Sequence, residues 1–183
     1  MKKTTKHSSN KNQPEDIIEL ILQDHKPLKA LIEIMKDDEA EYPEKLAAFE
    51  EFAPALVAHA KPEEQTWYIN MKEENDMVVE GLEGDVEHQL ADQLCEELKR
   101  TEDEDMFMAK VKVLAELVEH HIEEEEEEML PDYKKNSTVE ERVELGMMYL
   151  QFQSELNAEG NDDAPHEGAI KKNKTNSPIF SAH

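Results

Sequence analysis

Four of the eight histidines in the chain fall at positions that a helix would bury. In the first helical stretch the apolar residues recur at steps of three and four, and His25 takes the place of one of them. His59, His88 and His121 take comparable places on the apolar lines of three later stretches. A single histidine on an apolar line is more often a satisfied core residue than a ligand. Four of them on four helices indicate a shared polar site.

Two of these histidines are followed by a glutamate one helical turn later. The segments that begin at His59 and His121 both read His-x-x-x-Glu-Glu, followed by two variable residues and two apolar ones. A step of four residues is a rise of about 6 Å along one helix face. His59 with Glu63, and His121 with Glu125, can therefore contribute to one site.

The fourth helical stretch contains a second pair in the neighbouring register, His120 with Glu124. At about 100° per residue, His121 lies roughly 45° from the mean direction of the apolar side chains, and Glu125 lies within about 10° of it. On the same scale His120 lies roughly 145° away and Glu124 about 105° away. The helical geometry therefore places His121 and Glu125 inside and the other pair outside.

A metal ion is the simplest way to bury this set of side chains. Two carboxylates and four imidazoles without partners would cost several kcal/mol per charge, and a cation among them removes that cost. Imidazole with carboxylate suits iron, manganese or zinc, while the lack of thiolate ligands weakens a structural zinc site. If both carboxylates bridge two ions, about two positions on each octahedral ion stay open. Open positions on a di-iron site predict exogenous ligands such as oxygen, peroxide or nitric oxide.

Five helical stretches must position these residues. They span about 14–36, 43–70, 76–100, 103–130 and 138–157. Pro131 is expected to end the fourth stretch, and Thr138 with Glu141 forms a capping box for the fifth. No segment shows the alternation of a β-strand. The predicted fold class is therefore all-α, an up-down four-helix bundle with an additional C-terminal helix.

The charge of the chain argues against two classes of partner. The 183 residues carry 20 Lys and Arg against 45 Asp and Glu, a formal charge of −25. Nucleic acids and anionic membrane surfaces both need clustered cationic side chains, so neither is expected as a partner. We expect a helical domain at 14–157 between disordered tails at 1–13 and 158–183, both of which are polar and lack apolar periodicity.

Cysteine usage and the lack of a long apolar stretch bear on location. Cys95 is the one cysteine of the chain, so no intramolecular disulfide can form and a reducing compartment is expected. The basic start lacks the apolar stretch of a signal peptide, and no run approaches the roughly 18 apolar residues of a membrane helix. These features predict a cytoplasmic location. The sequence leaves the oligomeric state open.

With these residues in place, the sequence resembles hemerythrin-like domains, also called HHE cation-binding domains. The resemblance covers about residues 15–131 and lies in four segments: Asp24-His25-Lys-Pro-Leu-Lys, His59-x-x-x-Glu63-Glu64, Glu87-His88-Gln-Leu-Ala-Asp and His121-Ile-Glu-Glu-Glu125-Glu126-Glu-Glu-Met-Leu-Pro131. It implies a four-helix bundle that holds two Fe ions as a non-haem di-iron centre with an oxo or hydroxo bridge. By the same resemblance the metal ligands are His25, His59, Glu63, His88, His121 and Glu125. The two glutamates would bridge the ions, with the first two histidines on one iron and the last two on the other.

The chain departs from the oxygen-carrying hemerythrins at three places. Those proteins have a histidine where this chain has Gly84, and an aspartate five residues after the last histidine, whereas Glu125 follows by four. Six protein ligands instead of seven weaken the prediction of reversible oxygen carriage. Gly81 and Gly84 would either leave a gap beside the metal for a small ligand or allow close helix packing. A kink at Pro62 would turn Glu63 either toward the site or away from it.

The leading hypothesis is a di-iron protein that binds or senses oxygen-related small molecules, O2, peroxide or NO. One alternative is an enzyme of the same architecture, which would reduce peroxide or nitric oxide or donate iron for iron–sulfur repair. The sequence leaves open whether the protein is an enzyme. A third alternative is an iron store or a structural bundle that holds zinc. Of the acidic run Glu123–Glu128, only Glu125 is expected to point inward, and Cys95 is expected to be a buried, inert thiol.

Overall fold

The computed structural model describes residues 15–74 and 77–162, which form seven helices and one π-helical turn. The helices are α1 (Ile17–Lys36), α2 (Tyr42–Gln65), α3 (Trp67–Glu74), α4 (Val78–Leu98), α5 (Glu104–Glu124), α6 (Leu130–Asn136) and α7 (Val139–Asp162), and the π turn (Glu125–Met129) joins α5 to α6. These described residues contain no strand, which confirms the all-α prediction. None of the helices in the two described ranges is long and apolar enough to cross a membrane.

Aspartates fix the starts of two of the helices that carry histidines. Asp16 precedes α1, and its carboxylate accepts a hydrogen bond from the N–H of Ile18 at 3.0 Å. Asp103 precedes α5 and accepts from the N–H of Met106 at 2.8 Å. Such caps satisfy backbone donors that the first turn of a helix would otherwise leave unpaired.

Four long helices pack around a common interior. α1 contacts α2 and α5, and α4 contacts α5 and α2. α3 follows α2 with a single residue between them and packs against α4, while α7 lies against α1 and α2. This arrangement agrees with a helical bundle that carries an additional C-terminal helix.

The apolar core is divided into two clusters, and a polar layer lies between them. The first cluster gathers side chains of α1, α2, α4 and α5, among them Leu28 and Cys95. Burial raises the pKa of the Cys95 thiol to about 12, as expected for an inert cysteine. The second cluster includes Ile21 and Tyr133. His25 lies between Ile21 and Leu28 on α1, so the predicted histidine layer falls where one cluster gives way to the other.

The second predicted helix, 43–70, is two helices in the structure. α2 ends at Gln65 and α3 begins at Trp67, because Thr66 between them has a φ of −129° and a ψ of −80°, which are not helical. The Thr66 hydroxyl donates a hydrogen bond to the carbonyl oxygen of Pro62 at 2.6 Å. The N–H of Thr66 donates to the carbonyl oxygen of Glu63 at 3.2 Å instead of to that of Pro62, which accepts from the Thr66 hydroxyl, so the regular hydrogen-bond ladder ends here.

The sequence predicts that Pro131 ends the fourth helix, and this prediction is wrong. Helical structure continues through the π turn and α6 to Asn136. The N–H of Leu130 reaches back to the carbonyl oxygen of Glu125, so the π turn has already shifted the hydrogen-bond pattern before the proline. Pro131 lies in the first turn of α6, where proline is tolerated.

The capping box predicted for the last helix is confirmed. The N–H of Glu141 donates to the Thr138 hydroxyl at 3.2 Å, and the N–H of Thr138 donates to the Glu141 carboxylate at 2.6 Å. α7 continues to Asp162, beyond the predicted end at 157. Apart from residues 158–162, which belong to α7, the predicted tails 1–13 and 158–183 lie outside the described residues.

Candidate metal centre

The six predicted ligands meet in the polar layer between the two apolar clusters. Each of them is at most 3% exposed. The set is His25 from α1, His59 and Glu63 from α2, His88 from α4, His121 from α5 and Glu125 from the start of the π turn. His120, which the helical geometry places outside, has a side chain 65% exposed. The structure therefore brings all six side chains into one buried cluster.

Four of these side chains form the tightest group. Ligand atoms of His25, His59, Glu63 and Glu125 all lie within 4.8 Å of one another. Nε2 of His25 is 3.1 Å from Oε2 of Glu125, and Nε2 of His59 is 3.3 Å from Oε2 of Glu63. Adjacent donors that each lie about 2.1 Å from one octahedral ion are about 3.0 Å apart. These four residues, called the α1–α2 half below, thus have the spacing of a metal site.

His88 and His121 lie on the other side of the same two carboxylates. Nε2 of His121 is 3.5 Å from Oε1 of Glu125, and Nε2 of His88 is 3.7 Å from Oε2 of Glu63. The two imidazoles pack edge to face, with ring centroids 4.7 Å apart. Glu125 therefore directs one oxygen to each histidine pair, and Glu63 directs the same oxygen to both. His88 and His121 with these carboxylates are called the α4–α5 half below.

Every imidazole in the cluster turns Nε2 toward the carboxylates and Nδ1 toward an outer side chain. The Nδ1 contacts are Glu126 with His25 at 3.0 Å, Tyr149 with His59 at 3.5 Å, Glu64 with His88 at 3.5 Å and Glu87 with His121 at 2.6 Å. Metal-binding histidines usually have such an outer partner, which orients the ring and makes the other nitrogen a better ligand. The four rings thus have the orientation expected of metal ligands.

Two of these outer carboxylates come from the second glutamate of the His-x-x-x-Glu-Glu repeat. In each copy the first glutamate faces the site, and the second reaches a histidine on a different helix. Glu64 of α2 contacts His88 of α4, and Glu126 of the π turn contacts His25 of α1. The expectation that Glu125 alone of the run Glu123–Glu128 points inward is therefore wrong for Glu126. The doubled glutamate in both copies of the repeat is the sequence signal for this role.

Pro62 does not turn Glu63 out of the site. Both residues are buried, and Glu63 is 0% exposed. The helix continues from His59 through Glu63 and is interrupted only afterwards, at Thr66. Of the two orientations that the sequence left open, the structure shows the one in which Glu63 faces the histidines.

Tyr68 is a member of the cluster that sequence reasoning missed. Its hydroxyl donates a hydrogen bond to Oε1 of Glu125 at 2.6 Å. The hydroxyl oxygen of Tyr68 also lies 3.3 Å from Nε2 of His121 and 3.4 Å from Nε2 of His88. The residue is 0% exposed, and burial with the nearby charge of Glu125 holds the pKa of its phenol well above the usual range. Its position just after the Glu63 segment is the one available sequence signal, and core packing explains that position equally well.

Gly84 makes room for the ring of Tyr68. A Cβ atom at position 84 would lie 2.6 Å from Cζ of Tyr68 and 2.8 Å from its hydroxyl oxygen. A Cβ atom at Gly81 would lie 2.9 Å from the Lys72 side chain and 3.2 Å from the carbonyl oxygen of Tyr68. Both glycines therefore serve the close packing of α3 on α4. The alternative of a gap at Gly84 is wrong, because the tyrosine fills that space.

The pKa values of the two buried carboxylates, Glu63 and Glu125, are shifted in opposite directions. Burial and the neighbouring charge of Glu125 hold the pKa of Glu63 well above its usual range. Burial also acts to raise the pKa of Glu125, but His121 and His25 outweigh it, and that pKa is lowered. Burial and the neighbouring His25 hold the pKa of His59 well below the usual histidine value. Glu63 is thus the carboxylate that gains most from a positive ion beside it.

Most of the buried side-chain polar atoms that lack a hydrogen bond, among the residues that the structure describes, also lie in this cluster. Within the part of the chain that the structure describes, five buried side-chain atoms make no hydrogen bond, and four of them belong to the cluster: Nε2 of His59, both carboxylate oxygens of Glu63 and Nδ1 of His88, with Nε1 of Trp67 as the fifth. Leaving a buried polar atom unpaired costs about 1–3 kcal/mol, so native proteins rarely do so. Imidazole nitrogen and carboxylate oxygen are donors that iron, manganese and zinc accept. The residues present therefore fit a bound cation.

The comparison with known families agrees with this geometry. A family model, the hemerythrin HHE cation-binding domain, matches residues 16–133, which include all six residues of the cluster. The chain belongs to the hemerythrin HHE family. No curated protein and no solved structure gives a significant match. The HHE match ends within α6, so α7 and its Tyr149, which contacts His59, lie outside the matched region.

In the metal-free HHE domain, Glu63→Gln is expected to stabilise the fold increasingly as the pH rises. The folded pKa of Glu63 lies above its unfolded value, so its contribution is fully present below the ordinary glutamate pKa of about 4.3 and is lost as the pH rises toward the folded value. Glutamine carries no such dependence. The free energy of unfolding of Glu63→Gln relative to wild type should rise by up to about 1.4 kcal/mol per pH unit in this window.

Urea unfolding with a chelator present, at pH 5 and at pH 7.5, measures this difference. Glu126→Gln is the matched control: burial acts to raise the pKa of Glu126, but its partners Lys29 and His25 outweigh burial, and that pKa is lowered. A difference between Glu63→Gln and wild type that stays constant across the two pH values would contradict the expectation.

Gly84→Ala is expected to destabilise the HHE domain, although alanine usually favours a helix over glycine by about 1 kcal/mol. The added methyl group overlaps the Tyr68 ring, and such overpacking costs about 1–3 kcal/mol. Denaturant unfolding of the metal-free protein measures the change. In a Tyr68→Ala background the same substitution should become favourable. A stabilising effect of Gly84→Ala in the wild-type background would show that Tyr68 does not fill this space.

Proposed function

We propose that the chain is a non-haem di-iron protein that binds or senses an oxygen-related small molecule, O2, peroxide or nitric oxide. The observation that carries the proposal is the position of Glu63 and Glu125 between two histidine pairs. Each pair supplies two imidazole nitrogens and shares two carboxylates. The ligands of the two ions would be His25, His59, Glu63, His88, His121 and Glu125.

Membership of a cation-binding family supports a bound metal, and the donor types favour iron. Histidine and carboxylate ligands, with coordination positions left open on the metal, are typical of non-haem iron sites that react with oxygen. Four protein donors leave about two positions open on each six-coordinate ion. Bound iron would supply an open coordination position and a change of oxidation state, which an oxygen-related ligand can use.

The residues of the chain hold the donors in place and keep bulk water away. The two apolar clusters enclose the polar layer from both sides. Lys29 donates to Glu126 at 2.7 Å, and Lys61 donates to Glu64 at 2.9 Å. These lysines favour the ionised form of the outer carboxylates, so Glu126 can accept a hydrogen bond from Nδ1 of His25, and Glu64 lies as a negative charge 3.5 Å from Nδ1 of His88. The inward Nε2 atoms are left free to bind an ion.

Metal identity and stoichiometry test the proposal. Metal-free protein is loaded anaerobically with ferrous iron, excess iron is removed by gel filtration, and metal per chain is counted by mass spectrometry. Two tightly held iron ions are expected. One ion or none would contradict a di-iron centre. Preferential uptake of zinc when both metals are offered at equal concentration would favour a structural bundle instead.

Reaction with small molecules separates a binder or sensor from an enzyme. The loaded protein is titrated with O2, hydrogen peroxide and nitric oxide while its absorption spectrum is recorded. A binder or sensor changes its spectrum and then stops consuming the reagent. Continued consumption of peroxide or nitric oxide, at rates well above those of free iron, would favour the enzymatic alternative. No response to any of the three would contradict the sensing role while leaving metal binding intact.

A further inference from the structure

We infer that Tyr68 is a metal ligand of the α4–α5 half, where its phenolate oxygen supplies a seventh protein donor to the centre. The inference rests on the proposed function, because it concerns the ion that His88 and His121 would hold. The four sequence segments that carry the predicted ligands contain no tyrosine, so the inference rests on the geometry of the structure.

The hydroxyl oxygen of Tyr68 has the spacing of a ligand. It lies 2.6 Å from Oε1 of Glu125, 3.3 Å from Nε2 of His121 and 3.4 Å from Nε2 of His88. Adjacent donors around one octahedral ion lie about 3.0 Å apart. The phenol oxygen is therefore at donor spacing from three of the four other donors of the α4–α5 half, those of Glu125, His121 and His88.

A hydrogen bond to Glu125 does not by itself explain this position. A phenol that served only to hold the carboxylate needs one acceptor, yet two imidazole nitrogens also converge on the same oxygen. Neither nitrogen is needed to orient the tyrosine, and each already has its Nδ1 directed at an outer carboxylate, Glu87 or Glu64. Four donor atoms that face one point are the pattern of an ion-binding site.

Packing leaves the ring of Tyr68 little freedom to move away. Gly84 lies so close on one side that a Cβ atom there would be 2.6 Å from Cζ. Trp67 packs against the ring with centroids 5.3 Å apart, and the His88 ring lies at the same distance with an interplanar angle of 30°. Any ion held by His88 and His121 would therefore meet the phenol oxygen.

Coordination is a proton-coupled substitution without a change of oxidation state. The O–H bond of Tyr68 breaks, the proton passes to solvent, and the oxygen lone pair forms the bond to the ion. Metal binding that deprotonates a ligand releases protons in proportion. Loading of the wild-type protein at fixed pH should therefore release one more proton per chain than loading of Tyr68→Phe.

The inference makes the two halves of the centre unequal. The α4–α5 half has five protein donors once Tyr68 is included, and the α1–α2 half has four. An exogenous small molecule would then bind at the ion held by His25 and His59, which keeps more open positions.

The experiment compares wild type with Tyr68→Phe and with Tyr133→Phe as the matched control. Tyr133 is also fully buried and also packs against Trp67, but its hydroxyl donates to Asn70 at 2.7 Å. Each protein is loaded anaerobically with ferrous iron, and iron per chain is counted. One equivalent of ferricyanide per iron then oxidises the centre to ferric. Visible absorption, resonance Raman spectra and proton release on loading are recorded.

We expect a phenolate-to-ferric charge-transfer band, with resonance-enhanced tyrosine ring modes, in wild type and in Tyr133→Phe. Tyr68→Phe should retain iron and lose the band, the ring modes and the additional proton. Wild-type protein that binds two irons without ring modes, or a band that persists in Tyr68→Phe, would overturn the inference and leave the proposed function standing. Wild-type protein that binds no iron overturns both. If Tyr68→Phe does not fold, the wild-type Raman spectrum and the retention of its ring modes in Tyr133→Phe still decide the question.

Discussion

His121→Ala is expected to lose most of its bound iron, whereas His120→Ala should keep it. The side chain of His121 is 2% exposed, with Nε2 3.5 Å from Glu125, while that of His120 is 65% exposed and lies 3.5 Å from Glu124. Loss of an outer partner of a metal ligand already costs about 10–100-fold in affinity. We therefore expect removal of the ligand itself to lower the ferrous affinity by at least about 100-fold.

The two adjacent positions on one helix make a matched pair. Competition for ferrous iron against a chelator of known affinity measures the change, and circular dichroism of each metal-free protein checks that the helices are intact. Equal losses from His121→Ala and His120→Ala would contradict the ligand assignment. Undiminished affinity in His121→Ala would contradict it as well.

Removal of the metal is expected to lower the melting temperature of the wild-type protein by roughly 8–16 °C. An ion that binds only the folded chain stabilises it by about 4.1 kcal/mol when its free concentration is 1,000 times Kd. For a chain of this size, each kcal/mol corresponds to about 2–4 °C. The structural cause is the buried pair Glu63 and Glu125, because burial and the charge of Glu125 disfavour the ionised form of Glu63, and a cation beside both carboxylates removes that cost.

Thermal melts with and without a chelator measure this loss. Glu125→Gln is the control, because a protein without the carboxylate that faces both histidine pairs should not load, and the chelator should then leave its melting temperature unchanged. An unchanged melting temperature in the wild-type protein would contradict a buried site that holds metal in the native state.

The geometry of single helices was enough to predict which side chains turn inward. His25, His59 and His88 lie on apolar lines whose steps alone show their direction. The rotation of about 100° per residue separates His121 from its neighbour His120. Each of these predictions needs only the residues within two turns on the same helix, which is information that a sequence contains directly.

Features that depend on the meeting of two helices could not be predicted in this way. Tyr68 enters the cluster because α2 ends at Thr66 and because Gly84, on another helix, leaves room for its ring. Glu126 reaches His25 across the bundle, and the doubled glutamate that the His59 and His121 segments share does not by itself show which histidine the second glutamate contacts. Packing between helices decides these contacts, and periodicity along one helix does not describe it.

The pairing of His25 with Glu125 joins residues that are 100 positions apart in the chain. A metal ion shared by these two side chains would act as a removable cross-link that closes a loop of that length. A covalent bridge across a loop of about 100 residues stabilises a protein by about 4.7 kcal/mol, through the entropy it removes from the unfolded chain. The hairpin α1–α2 and the hairpin α4–α5 could then separate only after metal bonds break. Loss of the ion would accordingly make the bundle easier to open and more accessible to proteases.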